Sequence, residues 1–336
     1  MLGPSLKLRL ALAAAAGALL AGSAVAIAAA QGGSVTRTPT TGVVVVTTNL
    51  GYQGSAAAGT GIVLTSSGEV LTNNHVVKGA TTIRVRDVST GRTYTATVAG
   101  YNVSRDIALL KVSNPQGLKT ALVGSSAGIR VGDRVTAVGN AGGTGTLTVS
   151  TGTLTRLHQS ITVSDDNGGS SRLTDLIETS AQLLPGDSGG PLLDGSGRVI
   201  GVDAAGSSGS RFEQSSGDGY AIPIDTAKAI VHQIESGHST ATVHVGPTAF
   251  LGVALSGEDA SGALVTGVVQ GGPADNAGLA AGDLITSFGG HSVTSPTSLQ
   301  LLLRQASPGK AYRVTWIDQF GGASSATIRP VSGPAQ

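Results

Sequence analysis

From Gly42 onward, short runs of β-branched and apolar residues recur, separated by Gly, Asn, Asp and Ser. Val43–Thr48, Gly61–Thr65, Thr82–Val88, Thr93–Val98, Ile107–Val112, Arg134–Val138, Leu192–Leu193 and Val199–Asp203 are such runs. Branching at Cβ stiffens Val, Ile and Thr and suits them to a pleated strand. Gly, Asn and Asp supply the tight turns between strands. Many short strands at this spacing close into a sandwich or barrel, so the chain is expected to be mainly β. Gly, at 51 of 336 residues, is about twice its usual ~7% share, but no three-residue period supports a collagen-like reading. Apolar residues make up 40% and charged residues 12%, which argues against bulk disorder.

Asp225–Ser236 breaks the pattern: Ala227, Ile230, Val231 and Ile234 fall at helical spacing. Asp225 is placed to cap this helix and Gly237 to end it. His232 reads as a partly exposed helix residue. Residues 31–42 read as a flexible lead-in, 43–237 as the first domain and 238–247 as a linker. A second unit covers 248–330, with strands at Leu251–Leu255, Ala263–Val269, Leu284–Phe288 and Ala311–Ile317. Its helix is expected at Ser298–Ala306, with Leu299, Leu302 and Leu303 on one side, and His291 in an exposed hairpin turn. Residues 331–336 read as a loose tail.

The 21 Lys and Arg residues against 20 Asp and Glu give a net charge of +1, too balanced for an electrostatic nucleic-acid binder. There is no cysteine, so disulfides, thiolate metal sites and cysteine nucleophiles are excluded. No two of the six His form an HExxH pattern, and neither a metal nor another cofactor is called for. Lys7 and Arg9 precede the uncharged, Ala- and Leu-rich stretch Leu10–Ala30. Residues 1–30 therefore read as an export signal cleaved after small residues, or as a retained membrane anchor. Either reading puts the rest of the chain outside the cytoplasm, secreted or in the cell envelope.

Gly186-Asp187-Ser188-Gly189-Gly190-Pro191, followed by an apolar run, is the most specific chemical signal. A nucleophilic Ser needs a sharply turned backbone and N–H donors aimed at the developing negative charge. The flanking glycines permit such a turn, and the natural donors are the N–H groups of Gly186 and Ser188. Ser also needs a base. His75 sits where a strand gives way to Val76-Val77, and Asp106 flanks the apolar run Ile107–Val112. Each alone has a bland structural reading. Their order, His75, Asp106, Ser188, is the chymotrypsin order, whereas an α/β-hydrolase runs Ser, acid, His with a helix after the Ser. An ester hydrolase of that fold is accordingly disfavoured.

Thr72–Val77, Arg105–Lys111 and Pro185–Leu192 resemble the three catalytic blocks of HtrA/DegP-type trypsin-fold serine proteases, and Gly219–Pro223 is similar to the segment that closes their protease domain. Phe250–Val253 and Pro273–Ile285 resemble parts of a PDZ domain. The resemblance covers about residues 43–330. It implies a double β-barrel with His75 as base and then acid, Asp106 orienting it, Ser188 as nucleophile, and the Gly186 and Ser188 amides as oxyanion hole. The PDZ unit would take a peptide C-terminus at Phe250, Leu251, Gly252 and Val253, with Leu299 and Leu303 lining the groove. The substrates implied are unfolded or damaged polypeptides, and the assembly implied is a trimer packed through aromatics, for which Tyr52 is the nearby residue.

The sequence departs from the family at Asp187, where many members carry Asn, and no activation-cleavage site accompanies it. A salt bridge, a loop amide and solvent are all open as its partner. Gln182 stands where trypsin-like enzymes carry a pocket carboxylate, so a basic-residue preference is unsupported; Leu183 and small neighbours point to medium-sized apolar side chains. The alternative from another class is a catalytically silent PDZ-containing chaperone or binding protein.

Overall fold

The computed structural model describes residues 39–164, 170–204, 219–256 and 261–335. The expected signal or anchor at 1–30, most of the lead-in and the polar segment 206–218 lie outside the described residues.

The first barrel contains β1 (Val43–Leu50), β2 (Ser55–Val63), β3 (Glu69–Thr72), the one-turn helix α1 (Asn74–Val77), β4 (Thr82–Asp87), β5 (Thr93–Asn102) and β6 (Ile107–Val112). The strands run in the order β5-β4-β1-β2-β3-β6, and β5 also pairs with β6. In β4 burial alternates strictly: Ile83, Val85 and Asp87 point in, and Thr82, Arg84 and Arg86 point out, as a half-solvated antiparallel strand requires. β1 is buried on both faces. Val44 and Val46 join Val63, Val70, Val85 and Leu110, while Val43 packs with Ile62, Leu71 and Ile107. Each such side chain contributes ~1.5–3 kcal/mol by leaving water.

The second barrel is closed, in the order β10-β11-β12-β9-β8-β7. It contains β7 (Arg134–Gly139), β8 (Thr148–Ser164), β9 (Ser170–Thr179), β10 (Pro191–Asp194), β11 (Val199–Asp203) and β12 (Gly219–Pro223). The long pair β8–β9 carries register shifts at Leu154/Arg156, Arg156/Gln159 and Gln159/Ile161. These shifts scramble the period-2 pattern that the sequence would otherwise show.

The helix α2 (Ile224–Glu235) buries Ile224, Ala227, Ile230, Val231 and Ile234. Gly237, at φ +76°, ends it as expected. Asp225 is not the cap: Pro223 holds that position and Asp225 lies in the first turn. Its Oδ2 instead accepts hydrogen bonds from Ser125 Oγ (2.7 Å) and Ser126 N (2.8 Å), and its Oδ1 from Lys228 Nζ (2.9 Å). Burial alone would raise its pKa, but these donors outweigh burial and hold it far below the usual carboxylate range.

The segment expected as a linker forms β13 (Val243–Val245), which adds to β5 with His244 opposite Tyr101. The C-terminal unit has β14 (Thr248–Phe250), β15 (Val253–Leu255), β16 (Ala263–Val268), α3 (Pro273–Asn276), β17 (Leu284–Phe288), β18 (His291–Ser292), α4 (Pro296–Gln305), β19 (Tyr312–Ile317), β20 (Ala323–Ile328) and β21 (Val331–Gly333). The expected strand Leu251–Leu255 is interrupted at Gly252, which has φ +80°. α4 starts earlier than Ser298 because Ser295 caps it, its hydroxyl accepting from Ser298 N at 3.1 Å. His291 pairs with Phe288 across an exposed hairpin turn, as expected. The tail is not loose: β21 pairs with β14, and the Ala335 carbonyl accepts from Gly79 N at 2.8 Å.

Candidate active site

His75 lies three residues beyond the end of β3, on α1 rather than at the strand end itself. The N-terminal amides of a short helix need acceptors. Asp106 supplies one here, its Oδ1 accepting from His75 N at 2.9 Å. Its other oxygen, Oδ2, lies 2.7 Å from His75 Nδ1. One carboxylate therefore grips both the backbone and the ring of the same histidine, which fixes the ring and leaves Nε2 pointing away from Asp106.

Asp106 adopts φ +52°, a left-handed conformation that costs a non-glycine residue ~1–2 kcal/mol. Asp and Asn tolerate it best. Two features hold it there. Asn73 Nδ2 donates to the Asp106 carbonyl at 2.8 Å. Asn102 Oδ1 accepts from Ser104 Oγ and Arg105 N, both at 2.9 Å, and so wraps the preceding turn. Burial by itself would depress the His75 pKa; the charge of Asp106 and its hydrogen bond outweigh burial and hold it above the ordinary 6.5.

The Ser188 loop folds as its glycines demand. Gly186 and Gly189 have φ of +99° and +86°. A Cβ on Gly186 would land on the Asn140 carbonyl oxygen and 2.9 Å from Gly143 N; one on Gly189 would land on the Thr60 carbonyl and the Thr72 hydroxyl, 3.2 Å from Asn73 N. The loop thus packs against β2 and against the residues that lead into α1. Asp187 N donates to Leu184 O (2.9 Å), Gly189 N to Asp203 O (2.8 Å) and Gly190 N to Asp187 O (2.9 Å). Gly186 N donates to no acceptor among the described residues.

Thr60 on β2 ties the two barrels together, a role no motif announced. Its N donates to Ser188 O (2.8 Å) and its Oγ1 to Gly186 O (2.7 Å). The same Oγ1 accepts from Asn140 N (2.9 Å), and the Thr60 carbonyl accepts from Thr72 Oγ1 (2.7 Å). Beside it, a Cβ on Gly59 would stand 2.7 Å from a Val76 methyl and 3.1 Å from Ser188 O. Ser188 and the neighbour of His75 therefore flank one glycine. The structure joins His75 to Asp106 directly and sets the Ser188 loop against the same short stretch of chain.

The partner of Asp187 is partly a loop amide: Oδ2 accepts from Leu184 N at 2.8 Å. Oδ1 is buried without a hydrogen-bond partner. Burial raises the pKa of this carboxyl, and the Leu184 bond only partly offsets it. Gln182 is exposed. Leu183 packs on Gly219 and among core residues such as Ile177 and Ala181, so the open apolar surface here belongs instead to Leu184, 41% exposed. Among the described residues no group of three His, Asp or Glu side chains gathers to hold a metal ion.

In the C-terminal unit, Gly252 has the positive φ that its turn requires, and Val253 pairs with Val268. Leu251 is buried in the core, its carbonyl accepting from Ala274 N at 2.9 Å. Phe250 stacks on Tyr52 with ring centroids 4.7 Å apart. Leu299 and Leu303 are core residues, at 0% and 4% exposure, and offer no groove surface. They pack inward because the capped helix turns its apolar stripe onto Ala249, Val265 and Phe288.

A trypsin-like peptidase domain profile matches residues 59–202, and a PDZ domain profile matches residues 264–317. The chain is 33% identical over 311 residues to serine protease PepD of Mycobacterium tuberculosis, covering 88% of this chain and 64% of PepD. It is 33% identical over 280 residues to the Synechocystis protein described as putative serine protease HhoA, covering 77% and 67% of the two chains. A probable periplasmic serine endoprotease, DegP-like, of Chlamydia trachomatis is 35% identical over 270 residues, covering 76% and 50%. The chain thus spans half to two thirds of the length of these relatives. Among solved structures, HtrA-type protease AlgW with a tripeptide aligns with TM-score 0.50 and 28% identity over 88% of this chain and 95% of that one.

Proposed function

Since the chain belongs to the HtrA/DegP-type trypsin-fold serine proteases, we propose that it is an exported serine endopeptidase that hydrolyses peptide bonds of unfolded or damaged proteins through Ser188, His75 and Asp106. The observation that carries this reading is the 2.7 Å contact between His75 Nδ1 and Asp106 Oδ2 beside the Ser188 loop. Asp106 holds the ring with Nδ1 protonated, which leaves the Nε2 lone pair to take the Ser188 proton. Ser188 Oγ attacks the scissile carbonyl, and the resulting oxyanion accepts hydrogen bonds from the Gly186 and Ser188 amides. His75, now an imidazolium stabilised by Asp106, returns its proton to the leaving amine. Water then repeats the sequence on the acyl-enzyme.

In this reading residues 43–237 are the protease domain and 248–330 a PDZ domain that binds peptide C-termini at the turn Phe250–Val253, for substrate capture or regulation. Residues 1–30 direct export or tether the chain to a membrane; the periplasmic description of the Chlamydia relative supports the compartment. A trimer is the assembly that the family suggests. The test is casein cleavage by the wild type and by Ser188→Ala. Cleavage by the first alone supports the reading. Equal inertness of both over a wide pH range, with aggregation suppression retained, supports the silent chaperone instead.

The acid limb of activity follows from His75. Only the neutral ring can accept a proton, and Asp106 raises its pKa. kcat/KM is therefore expected to fall with an apparent pKa above the 6.5 of free histidine, and an acid limb below it would contradict the pairing.

A further inference from the structure

We propose that Thr60 is a positioning residue for the oxyanion donor: its hydroxyl ties down the peptide units on both sides of Gly186, one directly and one through a neighbouring turn, and so keeps the Gly186 N–H aimed. The effect on catalysis rests on the hydrolase reading above.

Gly186 lies between two carbonyls that are each gripped from outside the loop. Pro185 O accepts from Gly142 N at 2.7 Å. A peptide unit is planar and trans, so its N–H points opposite to its C=O. Holding Pro185 O toward Gly142 therefore turns the Gly186 N–H away from Gly142, and that N–H has no acceptor among the described residues. On the other side, Gly186 O accepts from Thr60 Oγ1 at 2.7 Å. Gly186, at φ +99°, has the backbone freedom of a residue without Cβ, so its amide keeps a fixed direction only while both units are held.

The same hydroxyl reaches the first grip as well. Thr60 Oγ1 accepts from Asn140 N at 2.9 Å, and one hydroxyl can donate and accept at once. Asn140 opens the turn Ala141–Gly143. Its carbonyl accepts from Gly143 N at 2.8 Å and its Oδ1 from Gly145 N at 2.7 Å. Gly142, at φ +71°, sits inside that turn and carries the N–H bound to Pro185 O. Thr60 and Asn140 are both 0% exposed, so removing the hydroxyl leaves a buried donor and the Gly186 carbonyl unpaired together. The direction of the hydroxyl is also set. Branching at Cβ leaves Thr few rotamers, and a Cβ on Gly190 would stand 3.2 Å from the Thr60 methyl. The bond from Thr60 N to Ser188 O, at 2.8 Å, involves no side-chain atom. Loss of the hydroxyl therefore frees the oxyanion donor while the hold on Ser188 remains.

The test compares casein cleavage by wild type, Thr60→Val and Thr60→Ser. Valine keeps the branched shape and lacks the hydroxyl; serine keeps the hydroxyl and lacks the methyl. Thr60→Val should lower kcat about 10²-fold, the scale on which a small misplacement near the reacting atoms acts, with KM little changed. Thr60→Ser should recover most of that loss. More than half of wild-type kcat in Thr60→Val, or equal impairment of the two variants, would overturn the proposal. If Thr60→Val does not fold, Thr60→Ala against Thr60→Ser isolates the hydroxyl in the same way. Amide exchange reads the geometry without turnover. In Ser188→Ala protein, adding Thr60→Val should strip protection from the Asn140 and Gly142 amides together, and adding Thr60→Ser should not. Unchanged protection at Gly142 would overturn the link from the hydroxyl to Pro185. A wild type that cleaves nothing, while both amides respond as expected, would sink the hydrolase reading and leave the positioning role standing.

Discussion

Asp106→Asn is expected to lower kcat/KM about 10⁴-fold, the loss this exchange causes in trypsin-type triads, with little change in thermal stability. The backbone explains the second half. Position 106 needs φ +52°, which Asn tolerates as Asp does, and the Asn oxygen can still accept from His75 N, as Asp106 Oδ1 does at 2.9 Å. The ring explains the first half. An amide NH₂ facing Nδ1 turns that nitrogen into an acceptor and moves the ring proton to Nε2, the atom that must receive the Ser188 proton. The charge that raises the His75 pKa is lost as well. Steady-state kinetics alongside a melting curve separate the effects. A loss under tenfold with unchanged melting would mean that Asp106 is only a structural staple.

Gly186→Ala is the second large effect. The new Cβ meets the Asn140 carbonyl oxygen and comes 2.9 Å from Gly143 N, and both are backbone atoms that cannot swing aside. The residue must also hold φ +99°, which L-residues avoid. The loop must therefore shift, carrying the Gly186 amide away from the oxyanion. One lost donor costs about 10²–10³ in kcat, and strain at a special backbone position costs of order 1–3 kcal/mol of stability. KM should change far less than kcat. Retention of more than a third of wild-type kcat would show that the Gly186 amide is not aimed at the reacting oxygen.

The sequence exposed those parts of the molecule that local chemistry controls. Ile107–Val112 and Val199–Asp203 appear with the bounds read from the sequence, because a run of branched residues between turn formers has few other conformations. The α2 stripe was equally plain in Ala227, Ile230, Val231 and Ile234. β8 and β9 were not, since their register shifts break the alternation on which strand reading depends. β13 was hidden because three residues gain strand character only by pairing with β5. At the site, Ser188, His75 and Asp106 stood out through motif and order. Thr60 did not: its value lies in bonds to Gly186 and Ser188, more than a hundred residues away. Leu299 and Leu303 had the pattern of a groove wall and of a core stripe alike, and only packing separates the two.

Labelling with a fluorophosphonate probe, with the modified residue located by mass spectrometry, shows whether Ser188, His75 and Asp106 form a working triad. A single adduct is expected on Ser188, absent from heat-denatured protein and strongly slowed in Asp106→Asn. Labelling of folded protein at some other serine, or none at pH 8, would contradict it.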